Sequence, residues 1–170
     1  MLNERMEKAL NEQINAELWS AYLYLSMANY CDSKGLPGAA NWFEIQFKEE
    51  QDHAMRIKNY IQSRGGRVIL APIAEVKTEW NSLLDAYKDT LEHERKVTAM
   101  INNLYAISVE IADAATQNML NWFVSEQVEE EDTAQKLIDA LTFIGDNGYG
   151  LYMFDKELAA RVYTEPTTEE

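Results

Sequence analysis

Glu50 and His53 stand three residues apart in a segment whose apolar residues recur with helical rhythm: Phe43, Phe47, Ala54, Ile57, Ile61. Glu50 falls on that stripe, and His53 lies on the same side of the helix. An unpaired carboxylate facing a core is costly, so this pair requires compensation. Three other segments carry a similar intrusion. The stripe Leu10, Ile14, Ala21, Tyr24, Ala28 is interrupted by Glu17. Leu84, Tyr87, Leu91, Thr98, Ile101, Tyr105 is interrupted by Glu94. Leu120, Phe123, Ala134, Leu137, Leu141 is interrupted by Gln127 and Glu130.

No Lys or Arg occupies the stripes near these positions. An ion-pair network would need such a cation; a bound metal supplies the charge instead. Carboxylates with sparse imidazole and no thiolate suit iron or manganese better than structural zinc. Any one such Glu alone fits a rim residue that reaches water. Four in register, with a helical Glu-x-x-His, favour a metal centre. His93 is offset from the Leu91/Glu94 stripe and reads as solvated.

The elements that must hold these groups are helices. All Gly and Pro residues fall at Gly35-Leu36-Pro37-Gly38, between Gly65 and Pro72, between Gly145 and Gly150, and at Pro166. The intervals are rich in Ala, Leu, Glu, Lys and Met. Helices are expected from about Asn3 to Asp32 and Gly38 to Arg64, joined by a short turn and therefore antiparallel. Gly65 to Thr78 reads as an extended, partly apolar link. It can reach about 43 Å, the length of a helix of about 40 Å, so a third helix can run parallel to the second. Ile73 to Ile144 lacks Gly and Pro, and a break is expected at Glu110 to Asp113, with Asp113 capping a fourth helix. Leu151 to Val162 reads as a short fifth helix. The expected fold is an all-α four-helix bundle with a long crossover between helices 2 and 3 and a fifth C-terminal helix. It occupies residues 1–163 as one domain, with 164–170 a disordered acidic tail. The rough helix midpoints are residues 18, 51, 94 and 128, so all the intrusions fall at one height.

Bulk composition narrows the partners. A net charge of −14 disfavours nucleic acid and suits cations. Cys31 is the only cysteine, which excludes an intrachain disulfide and fits a reducing cytoplasm. No signal peptide or membrane span is evident. From Leu18 to Cys31 the first helix is apolar nearly all round, so a second surface must cover it, and a subunit contact is expected.

The motifs Asn15-Ala16-Glu17-Leu18, Tyr22-Leu23-Tyr24-Leu25, Glu49-Glu50-Gln51-Asp52-His53-Ala54, Glu92-His93-Glu94 and Trp122 through Glu131 together resemble those of prokaryotic non-haem ferritins. The likeness covers residues 1 to about 163. It implies that Glu17, Glu50 and His53 hold one iron, and that Glu50 bridges to a second held by Glu94 and Glu130, with Gln127 beside it. Glu49, Glu126 and Glu129, with Glu130, match a third iron site. Tyr24 matches the tyrosine beside the centre, and Trp122 an aromatic that passes an electron. Gln51 stands where haem-binding relatives place their Met ligand, and Gln127-x-x-Glu130 replaces a second Glu-x-x-His, so haem is not expected. Gln117 and Leu120 stand where animal ferritins line an inlet with acidic residues.

The implied activity is a ferroxidase that oxidises Fe(II) with O2 or H2O2 and stores ferric mineral in a homo-oligomeric shell of 24 subunits. The alternatives are a discrete di-iron oxidase or peroxidase acting on a diffusible substrate, and a metal-free oligomerising bundle.

Overall fold

The computed structural model describes residues 1–165. Five helices follow one another: α1 Glu4–Ser33, α2 Pro37–Ser63, α3 Leu83–Glu110, α4 Ala114–Ile144 and α5 Gly148–Leu158. The first four form the bundle, and α5 packs against α2 and α4. The expected fifth helix starts three residues earlier and stops sooner than the sequence suggested, because Asn147 caps its first turn at the Gly150 amide. Most of the expected tail, from residue 166 on, lies outside the described residues.

Each helix start is explained locally, with one exception. Asn3 accepts from the Arg5 amide, Ser82 from the Asp85 amide, and Asp113 from the Thr116 amide. The break after α3 falls at the expected place, with Ala112 at φ +54° making the turn. The exception is α2. Leu36 offers no side-chain cap, although Pro37 begins the helix favourably. Its cap comes from far along the chain: Asp155 on α5 accepts from the Gly38 and Ala39 amides at 3.0 and 2.8 Å. The helices therefore lock each other, and Gly38 makes the approach possible. A Cβ there would stand 1.7 Å from the Asp155 carbonyl oxygen.

The crossover 64–82 is clipped to α1 by a ladder of side chains. Asn11 donates to the Arg67 carbonyl and accepts from the Ile69 amide. Asn15 reaches the Ala71 and Pro72 carbonyls, Trp19 that of Glu75, Ser26 that of Lys77, and Tyr30 that of Trp80. The link thus runs from the start of α1 to its end, and α3 begins beside the end of α1, antiparallel to it. Arg5 pairing with Glu110 marks the opposite end of the same two helices. The crossover covers Tyr30 and part of Trp19, which accounts for some of the apolar surface of α1 without a partner subunit. Tyr22 remains half exposed at 51%.

The core has two apolar halves. One gathers Tyr24, Met27, Phe43, Tyr87, Leu91 and Ile138; the other gathers Met6, Leu10, Ile57, Ile61, Ile101 and Phe123. Between them on each of the four long helices lie the polar intrusions. Stripe positions differ slightly from expectation: Phe47, Leu84, Thr98, Tyr105 and Leu137 are only half-buried, while Ala86, Val97, Leu104 and Ile138 are buried. The long helices drift relative to a strict seven-residue repeat, so burial moves to a neighbouring position in places along them.

Gly38→Ala is expected to force α5 off α2, costing about 1–3 kcal/mol or more. Gly35→Ala has open space around its Cβ but sits at φ +73°, so it should cost about 1–2 kcal/mol through backbone strain alone. Calorimetric melting of both variants checks the order, with Gly38→Ala the lower-melting.

Candidate metal centre

Glu17, Glu50, Glu94, Gln127, Glu130 and His53 are all buried, each below a tenth exposed. They come from all four long helices and lie between the apolar halves of the core. Among the described residues one compact group of metal donors is present: Glu17, Glu50 and His53, whose donor atoms lie within 4.8 Å of one another. His53 Nδ1 is 3.5 Å from Glu50 Oε2 and 4.0 Å from Glu17 Oε2. Those two carboxylate oxygens are buried and have no hydrogen-bond partner. Buried oxygens without partners, converging on an imidazole nitrogen, suit a cation between them. The donor set fits a divalent transition metal.

The opposite side is organised by hydrogen bonds. Tyr24 donates to Glu94 Oε1, and Gln127 Nε2 donates to Glu94 Oε2 at 3.1 Å. Gln46 Nε2 donates to Glu130 Oε2 at 2.9 Å; back on the His53 side, Gln13 Nε2 donates to Glu17 Oε1 at 2.8 Å. No Lys or Arg among the described residues hydrogen-bonds or pairs with Glu17, Glu50, Glu94 or Glu130. Electrostatics follow. Burial, then Glu50, pushes the Glu17 carboxyl well above its usual range. Burial, then Glu94, does the same to Glu50 and raises Glu130 to about 8. Burial raises Glu94 too, opposed by its bonds from Tyr24 and Gln127. The metal-free centre therefore holds protons that a metal would displace.

Trp122 stands edge-on to His53 at 5.3 Å between ring centroids, with the Arg56 guanidinium 4.3 Å above its ring. The flank carboxylates are less enclosed. Glu49 and Glu126 are half-buried and Glu129 is exposed. Glu49 Oε2 accepts from Arg161 at 2.7 Å.

His93 departs from expectation. It is half-buried, with Nε2 2.7 Å from Ser20 Oγ and its ring 5.2 Å from that of Trp19 and 6.1 Å from that of Tyr24. Burial, then Lys96, lowers it to about 4. Its offset from the α3 stripe does point away from the centre, but toward α1 rather than water.

Gln13, Gln46 and Arg161 were not legible as site residues. Gln13 and Gln46 each stand four residues before a ligand candidate, Glu17 and Glu50, and on a buried face. That repeated Gln-x-x-x-Glu spacing was the available signal. For Arg161, beyond the last helix, the sequence offers none.

Comparison with known proteins gives the family. Residues 7–144 match the ferritin-like domain. A bacterial non-heme ferritin of Staphylococcus epidermidis is 46% identical over 165 residues, spanning 97% of this chain and 99% of that protein. That of Staphylococcus aureus is 42% identical over the same shares. Among solved structures, a closed form of the Archaeoglobus fulgidus ferritin engineered by site-directed mutagenesis superposes with TM-score 0.95 at 46% identity, covering 96% of this chain and all of that one. An open pore ferritin of the same archaeon superposes with TM-score 0.94 at 46% identity, covering 95% of this chain and 100% of that one. A family match over most of the chain, together with a buried Glu/Glu/His group inside a four-helix bundle, establishes that this chain belongs to the ferritin family.

Proposed function

We propose that this protein is a ferroxidase and iron store: it oxidises Fe(II) at the intra-bundle centre and deposits the ferric product inside an oligomeric shell. The observation that carries this is the pair of buried, unpartnered oxygens of Glu17 and Glu50 facing His53. Iron is the substrate. Glu17, Glu50 and His53 bind one Fe(II), and Glu50 is shared with a second bound by Glu94 and Glu130. Gln127 and Tyr24 hold Glu94 in position. Two Fe(II) ions give O2 two electrons, with two protons making H2O2; with H2O2 as oxidant the same two electrons and two protons give two waters. Anionic ligands favour Fe(III) over Fe(II) and so drive the electrons outward. Glu49, Glu126 and Glu129, with Glu130, form a third iron position on the flank, a site for product transit or electron supply. No haem takes part.

The shell is a homo-oligomer of 24 subunits. Supporting it are large apolar side chains that one subunit leaves exposed: Tyr22 at 51%, Val128 at 68%, Tyr149 at 73% and Phe143 at 94%. No described helix is long and apolar enough to cross a membrane. Cys31 is buried, and burial pushes its thiol up to about 12, an inert group suited to the cytoplasm.

Three outcomes are expected. Anaerobic Fe(II) loading followed by O2 should give a rapid rise in ferric absorbance. Glu50→Ala and His53→Ala should slow it by at least ~10-fold, the lower range for losing a group that orients or binds the metal; wild-type rates in both would remove the mechanism. Light scattering should find a particle near 24 times the 19.5 kDa chain, and a monomer-sized species would end the storage role. Binding of Zn(II) to the metal-free centre should release protons at pH 7 and tighten as pH rises toward about 8, where Glu130 loses its proton unaided. Calorimetry in buffers of different ionisation enthalpy counts those protons, and a count of zero contradicts the raised carboxyls.

A further inference from the structure

Past the end of α5 the chain does not leave the bundle but crosses α2. Asn41 Nδ2 donates to the carbonyls of Leu158 and Arg161, and Tyr163 donates to Asp52. Arg161 points inward from this strap. Its guanidinium lies 5.0 Å above the Trp42 ring, and Nη1 also reaches the Trp42 carbonyl at 3.3 Å. Nη1 donates to Gln46 Oε1 at 2.7 Å, and Nη2 to Glu49 Oε2 at 2.7 Å.

The chemistry of the donors sets the consequence. A guanidinium has no acceptor, so only the Gln46 oxygen can face it. The Gln46 amide nitrogen must then face the other way, where it meets Glu130 Oε2 at 2.9 Å. Gln46 is fully buried, with no water-exposed alternative orientation. We propose that Arg161 is a positioning residue for the metal centre: through Gln46 it aims the Glu130 carboxylate, and through its other nitrogen it withholds Glu49 from cations on the flank. This rests on the reading of the centre as a metal site. Arg161 is a tethered cation supplied by the C-terminal strap, so the third iron position has a resident competitor while the α4 ligand has a fixed orientation.

Two opposite changes follow from removing it. Without Arg161, Gln46 is free to turn and Glu130 loses its donor, so the ion held by Glu94 and Glu130 binds more weakly. Glu49 is released, so a flank ion binds more tightly. A merely structural role for Arg161 would weaken every site together.

The test is anaerobic titration of the assembled, metal-free protein with Co(II), followed by visible d–d absorption and calorimetry. Wild type should bind two Co(II) per chain tightly and a third weakly. Arg161→Ala should weaken one of the tight sites by ~10-fold or more, alter its d–d spectrum, and tighten the third by a similar factor. Gln46→Leu should weaken the same tight site without tightening the third, since Arg161 still holds Glu49. Arg161→Lys should restore only the weak third site, because an ammonium lacks the fork that reaches Gln46 and Glu49 at once. Arg161→Ala binding identical to wild type overturns the role of Arg161, as does uniform weakening of all sites. A wild-type protein that takes up no Co(II) overturns both this role and the metal centre itself.

Discussion

The structure depends on one electrostatic imbalance. Four carboxylates are buried in the middle of an apolar bundle, with no Lys or Arg paired to them among the described residues. Breaking a buried ion pair, or leaving a buried charge uncompensated, costs several kcal/mol per group. Protons can lift that cost, which is why the metal-free carboxyls are raised. Divalent cations lift it while leaving the carboxylates ionised. The two apolar halves of the core supply the stability that allows such a layer between them.

The layer exists only because the helices are correctly registered. Antiparallel neighbours joined by short turns bring midpoints together automatically, as α1 and α2 do. The pair α2 and α3 is parallel and needs a link as long as a helix. The crossover meets that need, and the ladder from Asn11 to Tyr30 fixes its path along α1. Its polar side chains satisfy the backbone of an extended segment that has no sheet partner. The face of α1 that looked surplus to one bundle is partly explained by this internal task.

The C-terminal segment ties the far end of the chain to α2 twice. Asp155 supplies the cap that α2 lacks, and Gly38 leaves room for it. Arg161 then reaches the buried Gln46 on the same helix. Support for Glu130 on α4 thus passes through α2 from a residue beyond α5. Such outer hydrogen bonds set ligand orientation, and their loss is felt in affinity as well as geometry.

Periodicity and chemical type sufficed for much of this. Glu17, Glu50, Glu94 and Glu130 were legible because each breaks an apolar stripe at a helix midpoint, and Glu-x-x-His because helical geometry alone brings i and i+3 together. The α3/α4 break was legible at Asp113 because capping is a local property. What the sequence by itself determined was therefore set by contacts within one helix or by equal helix lengths. Tertiary structure decided the rest: which way Gln46 faces, that His93 packs on Ser20 rather than water, that Asp155 caps another helix, and that Arg161 engages Glu49. Each of those joins residues on different elements, two of them more than a hundred positions apart, where no repeat or local propensity carries a signal.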